Sequence, residues 1–366
     1  MKIKQLHATQ PFSLQMKDNQ GCLIINLDSE VLLDEEVEIL TNKFIGGVLL
    51  FEHNFINNDQ IKSLIDSIKS INSNLLIAID HEGGRVQRFK KGFTSLPSFS
   101  SIGNICRTDH SLADEIAYNS GYIAGYELKA IGVDLNFSPV VDLSAKSDVL
   151  NSRTFSESST NVIRLSLSYI QGLIDNGIIP TLKHYPGHGS VTGDTHKDPM
   201  NCNLPWDDIY EHLVVFEKIH NKYNIPIMTS HIQFSEISND PVTTSSMWLK
   251  EISHKVFGKL PYFISDDLEM HGIKKHYPEL SRLSLLEKTL TTGCSMAIVT
   301  TMQDKNIIKE KKSHIFYKNE YLNRINLHNI NTRNNNLPCL HELSYNKGDV
   351  NTYHNAIEFT GRHIKE

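Results

Sequence analysis

Ile178-Ile179-Pro180-Thr181-Leu182 runs directly into Lys183-His184-Tyr185-Pro186-Gly187-His188-Gly189-Ser190-Val191-Thr192-Gly193-Asp194-Thr195-His196-Lys197-Asp198. The first five residues are a short apolar run bounded by turn formers, which is how a buried strand reads. The sixteen that follow hold three histidines, two aspartates, two lysines and three glycines. Such a loop has little to bury and much to offer a ligand. Asp194 and His196 stand two residues apart. In extended backbone they point the same way, so the carboxylate can hold the ring and favour its charged form. That pairing is a proton-transfer device.

Working outward, runs of the same apolar kind recur at residues 22–27, 47–51, 75–79, 133–137, 226–228, 262–264 and 296–299. With 178–182 they make eight strand candidates. Between them lie stretches with helical spacing, at 59–71, 112–131, 160–176, 207–222 and 280–292. Ser111 is the expected cap of the second, and Asn176-Gly177 and Thr292-Gly293 are the expected stops of the third and fifth. Strands alternating with helices call for parallel β/α architecture, and eight strands close a (β/α)8 TIM barrel. A doubly wound sheet is the other arrangement of this kind, but no Gly-x-Gly-x-x-Gly follows an early strand. Polar residues just past successive strands point independently to the barrel. They are Asp80-His81-Glu82, Asp142, Lys183-His184, His231 and Ser265-Asp266-Asp267. In a barrel these ends meet on one rim.

The chain has 366 residues and a net charge of −6, with both signs spread along it. That length suits one large domain with a small appendage. The expected division is a catalytic barrel over residues 1–322 and an asparagine-rich segment with a terminal helix over 323–366, the latter packed on the barrel. No basic stripe for nucleic acid is present, and no run of eighteen apolar residues argues for a membrane span. Five scattered cysteines without C-x-x-C spacing argue against a disulfide framework or structural zinc. The first twenty residues carry no continuous apolar segment, so no secretory signal is expected. A monomer in a reducing cytoplasm is the expected setting.

Three further segments carry candidate chemistry. Asp80-His81-Glu82-Gly83-Gly84-Arg85-Val86-Gln87-Arg88-Phe89 places an acceptor carboxylate and fixed guanidinium donors where sugar hydroxyls could be held. The competing reading is a turn whose charges pair with one another. Phe263-Ile264-Ser265-Asp266-Asp267-Leu268-Glu269-Met270 brings an aspartate out of a rigid strand, as a nucleophile requires, or as a helix cap requires. Ser152-Arg153-Thr154-Phe155 offers an arginine beside the rim. His231 either lines the pocket or bonds within it.

Together these segments resemble the family 3 glycoside hydrolases, in particular the single-domain bacterial β-N-acetylglucosaminidases that recycle cell-wall fragments. Residues 80–89 resemble that family's Asp-x-Glu-Gly-Gly-Arg-Val-Gln-Arg-Phe signature. Residues 183–196 resemble its Lys-His-Phe-Pro-Gly-His-Gly…Asp-Ser-His loop, with Tyr185 and Thr195 as substitutions. Residues 265–270 resemble its Ser-Asp-Asp-Leu-x-Met segment. Gly193, before Asp194, departs from the usual small non-glycine residue, and His81 fills a variable position.

The resemblance implies a (β/α)8 barrel that removes terminal β-linked N-acetylglucosamine with retention, acting on GlcNAc-1,6-anhydroMurNAc and its peptides. It places the nucleophile at Asp266 and the acid/base at His196, with Asp194 as the partner of the imidazole. Sugar-binding positions fall on Asp80, Arg88, Arg153, Lys183 and His184. No metal and no organic cofactor is expected. Two rival readings are a metal-dependent amidohydrolase on a TIM barrel and a catalytically inactive sugar-binding relative. The first needs a His-x-His after the first strand, where Asn26-Leu27-Asp28 stands. The second begins with loss of a catalytic group, and both groups are present.

Overall fold

The computed structural model describes residues 21–143, 150–300 and 350–364. The asparagine-rich stretch at 323–336 and Cys339 lie outside these. Eight parallel strands follow one another: β1 (Leu23–Asn26), β2 (Ile45–Leu50), β3 (Leu76–Ile79), β4 (Leu135–Asn136), β5 (halves Ile179–Pro180 and Leu182–Tyr185), β6 (Ile227–Thr229), β7 (Phe263–Asp267) and β8 (Met296–Val299). Each candidate run forms a strand. Neighbours in sequence pair in space, and β8 pairs with β1. The first half of β5 pairs with β4 and the second half with β6. The ladder therefore begins and ends on one extended segment, and the ring closes there. Lys183 and His184, expected just after the fifth strand, belong to its second half.

Side-chain alternation sorts the core into two layers, because successive residues of a strand face opposite ways. Ile24, Leu49, Ala78, Met228 and Ile264 pack together inside the ring. Their neighbours Ile25, Val48, Ile77, Ile227 and Phe263 belong to the larger cluster shared with the helices. That outer layer receives α1 (Asp34–Leu40), α2 (Asn58–Ile71), α3 (Phe99–Cys106), α4 (His110–Ile131), α5 (Ser159–Asp175), α6 (Trp206–Tyr223), α7 (Ser253–Phe257), α8 (His271–His276), α9 (Arg282–Thr292) and α10 (Val350–His363). In α2 the buried residues Ile61, Leu64, Ile65 and Ile68 fall on one face, as the 3.6-residue period requires. Asp109, rather than Ser111, caps α4 by accepting from the Leu112 amide. Aspartate is as good a cap as serine and stands two residues earlier, which leaves Ser111 inside the first turn. None of the described helices is long and apolar enough to cross a membrane.

The longest described helix, α4, packs against α3, α5 and α10. Helix α10 packs on it and buries Ala356 in the main core. Helix α5 crosses it where glycines face each other. A Cβ on Gly121 would stand 2.0 Å from the Tyr169 carbonyl oxygen, and one on Gly172 would stand 2.3 Å from that of Tyr118. Both obstacles are backbone, so only a shift of the helices could relieve them.

Gly121→Ala is therefore expected to lower stability by roughly 1–3 kcal/mol, the cost of overpacking a tight contact. Gly361→Ala on α10, where a Cβ meets nothing within 4 Å, should leave stability unchanged or raise it by up to about 1 kcal/mol through helix propensity. Denaturant unfolding of the two variants checks the contrast.

Candidate active site

All the candidate residues gather at the C-terminal mouth of the ring. Asp80 leaves β3 and is followed by an antiparallel hairpin, His81–Gly83 with Val86–Gln87. The hairpin returns Arg88, whose Nη2 donates to Asp80 Oδ2 at 3.1 Å. Lys183, buried in β5, places Nζ 2.8 Å from Asp80 Oδ1 and 2.7 Å from Glu82 Oε1. Arg153 grips Glu82 with one edge of its guanidinium, Nε donating to Oε2 at 2.9 Å and Nη2 to Oε1 at 2.7 Å. The charges of the turn thus pair with one another and with Lys183 and Arg153. Burial alone would raise the Asp80 pKa, but the charges of Lys183 and Arg88 hold it far below the usual carboxylate range. Glu82 is likewise lowered, with Arg153 and Lys183 outweighing burial. Each Asp80 oxygen keeps a lone pair for a further donor.

His184 is held from beneath. Asp142, fully buried past β4, accepts from the His184 amide at 3.2 Å and stands 2.8 Å from its Nδ1. It also accepts from the His188 amide at 2.7 Å. A carboxylate can only accept, so Nδ1 carries the proton and Nε2 is left for the mouth. The His184 and His188 charges overcome burial and keep the Asp142 pKa low.

Asp194 and His196 do meet, but not through extended backbone. The segment turns, and Asp194 Oδ1 accepts from the His196 amide at 2.9 Å and lies 2.8 Å from its Nδ1. A short polar side chain folding back on the amide two residues on is favoured in a turn, and it fixes the ring as it fixes the chain. The His196 side chain is 63% exposed, so its outer nitrogen is free to meet a ligand. Below it, His188 Nε2 lies 3.2 Å from Thr195 Oγ1.

Asp266 closes the site at the end of β7. Burial acts to raise its pKa, but the charges of His184, His231 and His196 act the other way and prevail. These charges come from three elements: His184 from β5, His231 from the segment after β6 and His196 from the dyad turn. Its neighbour Asp267 is different: burial raises its pKa to about 6. Its oxygens accept from the amides of Glu269 and Thr300 and from the Thr300 hydroxyl. His231 bonds within the site, donating from Nε2 to the Asp267 carbonyl at 2.9 Å.

Each residue given a site role from the sequence lies in this cluster, whereas Phe155 packs on Phe99 in the core. The sequence reading missed Glu82 and Asp142 as working parts, although both stood in the polar strand-end pattern. Asp80 and Glu82 are two apart at a strand end, which by itself predicts a shared face.

A comparison with known proteins now bears on this geometry. The model of the glycosyl hydrolase family 3 N-terminal domain matches residues 1–326. The chain belongs to glycosyl hydrolase family 3. It is 37% identical over 279 residues to a β-hexosaminidase of Psychromonas ingrahamii, covering 75% of this chain and 81% of that one. It is 31% identical over 331 residues to a β-hexosaminidase of Histophilus somni, covering 84% and 92%. Among solved structures, native NagZ from Neisseria gonorrhoeae superposes with a TM-score of 0.76 at 28% identity, covering 95% and 99% of the two chains. This family 3 member is accordingly a glycoside hydrolase built on a (β/α)8 barrel.

The mouth of this family 3 barrel also sets a pH dependence. Burial pushes His81 down to about 3, and burial with the His184 charge pushes His188 down to about 4. Unfolded histidine titrates near ~6.5, so below that pH the unfolded chain binds protons that the folded one refuses. Stability should therefore fall as pH drops from about 6.5 toward 4. The lowered carboxylates Glu82 and Asp142 add their own loss only below about pH 4, the ordinary range of such groups. In His81→Leu the decline of melting temperature between pH 6.5 and 4 should be shallower than in the parent.

Proposed function

We propose that this enzyme is a retaining exo-β-N-acetylglucosaminidase that removes terminal β-linked N-acetylglucosamine from peptidoglycan fragments, GlcNAc-1,6-anhydroMurNAc and its peptides. In this reading Asp266 is the nucleophile and His196 the acid/base, with Asp194 as its orienting partner. Asp80, Arg88, Arg153, Lys183 and His184 hold the sugar. The β-hexosaminidase names of the relatives support the hexosamine.

The observation that carries the reading is electrostatic. Retaining glycosidases ordinarily pair a carboxylate nucleophile with a carboxylic acid whose pKa is raised. Here Asp80, Glu82, Asp142 and Asp266 all have lowered pKa values, so none holds a proton near neutrality. Asp267 does titrate near 6, but its oxygens are engaged by Thr300 and Glu269. The proton donor is then an imidazole, whose ordinary titration range suits both giving and taking a proton.

Asp266 attacks the anomeric carbon while His196 gives its proton to the glycosidic oxygen, and the aglycone leaves as an alcohol. Neutral His196 then takes a proton from water as the water oxygen displaces the aspartate from the same carbon. The free sugar and the imidazolium result. Lys183 and Arg88, fixed through Asp80, contribute by holding the ring in place.

Asp266→Ala is expected to abolish release of nitrophenol from p-nitrophenyl N-acetyl-β-glucosaminide. His196→Ala should lose about 10²–10⁴-fold on a disaccharide, whose leaving group needs the proton, and much less on the nitrophenyl substrate. Full activity in Asp266→Ala overturns the assignment, and a covalent sugar trapped on Asp267 transfers it to that residue.

A further inference from the structure

The turn that carries Asp194 and His196 is gripped from outside by α8, the helix that begins four residues beyond Asp267. The Gly272 amide donates to the Thr195 carbonyl at 3.0 Å and the His271 amide to the His196 carbonyl at 3.3 Å. Lys275 Nζ donates to the Lys197 carbonyl at 3.0 Å and to Asp198 Oδ1 at 2.7 Å. The approach is close enough to exclude a side chain. A Cβ on Gly272 would lie 2.5 Å from the Thr195 carbonyl oxygen and 2.7 Å from that of Asp198. Helix α8 is itself tied down, because buried Glu269 accepts from Lys274 at 2.6 Å and from Arg282 of α9 at 3.0 Å.

We propose that Gly272 and Lys275 are positioning residues for the acid/base pair. They hold the dyad turn by its backbone, so that the imidazole is placed from the strand that carries the nucleophile. The inference rests on the reading of Asp266 and His196 given above. The grip uses carbonyls of Thr195, His196 and Lys197 and spares the His196 ring, which leaves its outer nitrogen for the glycosidic oxygen. The only other described hold on Thr195 is its hydroxyl contact with His188, within the same loop. The α8 contacts tie the turn itself to the segment after β7, while the pairing of Met200–Cys202 with Ile232–Phe234 holds the chain only further on. Misplacing a catalytic group by about 1 Å can cost about 10²-fold in rate.

The test is the leaving-group dependence of turnover by the full chain, measured over a series of aryl N-acetyl-β-glucosaminides. In Gly272→Ala the nitrophenyl substrate should stay within a few-fold of the parent, while substrates with poor leaving groups fall by up to about 10²-fold. The dependence becomes steeper, as for His196→Ala. Lys275→Met should steepen it several-fold and Lys275→Arg should restore it. General damage to the fold would instead lower all substrates alike. If Gly272→Ala does not fold, the Lys275 pair decides. A parental leaving-group dependence in folded Gly272→Ala and in Lys275→Met overturns the positioning role. Asp266→Ala, assayed alongside, separates the two ideas: its activity sinks the mechanism, and its inactivity leaves only the grip at stake.

Discussion

The mouth of the barrel is organised around one buried cation. Lys183 enters from β5 with its side chain 2% exposed and stands between Asp80 and Glu82 of the β3 turn. Taking an ammonium and two carboxylates out of water costs several kcal/mol per ion, repaid only by close and complete pairing. That demand fixes more than the lysine. Glu82 needs a second cation and takes Arg153, and Asp80 takes Arg88. The three cations come from positions far apart in sequence, Lys183 in β5 itself, so satisfying one carboxylate pair locks the β3, β4 and β5 ends into register. The residues best placed to hold a ligand are thus held first by one another.

The same electrostatics divides labour among the acids. Cations or imidazoles near Asp80, Glu82, Asp142 and Asp266 favour the charged form against burial. Asp267 has only neutral donors and a like-charged neighbour, and burial prevails. Two adjacent aspartates on one strand therefore have opposite tendencies. Asp266 is kept as a charged carboxylate that accepts only from the Asp267 amide among the described bonds, while Asp267 works as a turn-building acceptor for Glu269 and Thr300. Neither aspartate caps α8, whose N-cap is Met270 without a side-chain bond; the Glu269 amide that Asp267 satisfies lies ahead of the helix.

Much of this was legible in the chain. Buried strands need apolar runs, and all eight runs are strands; the polar residues after them are the mouth. Long helices announced themselves by period. Short ones did not, since α1, α3 and α8 span too few turns for a period to emerge. The pairing of Asp194 with His196 was readable, but its turn geometry was not, because a two-residue spacing serves an extended chain and a folded-back side chain equally well. Glu82 and Asp142 were visible as strand-end acids. Their partners, Arg153 and His184, sit 71 and 42 residues away, and distances of that kind come only from the closed ring.

Closure itself has a temporal side. Leu23 of β1 lies opposite Ala297 of β8, so during synthesis β1 waits for β8 before its second edge is covered. Until then a growing chain exposes unpaired amides and carbonyls at that edge, the kind of surface that recruits other chains. The chain's vulnerable period in the cell is thus the interval of its own synthesis, and it ends when the two distant edges meet.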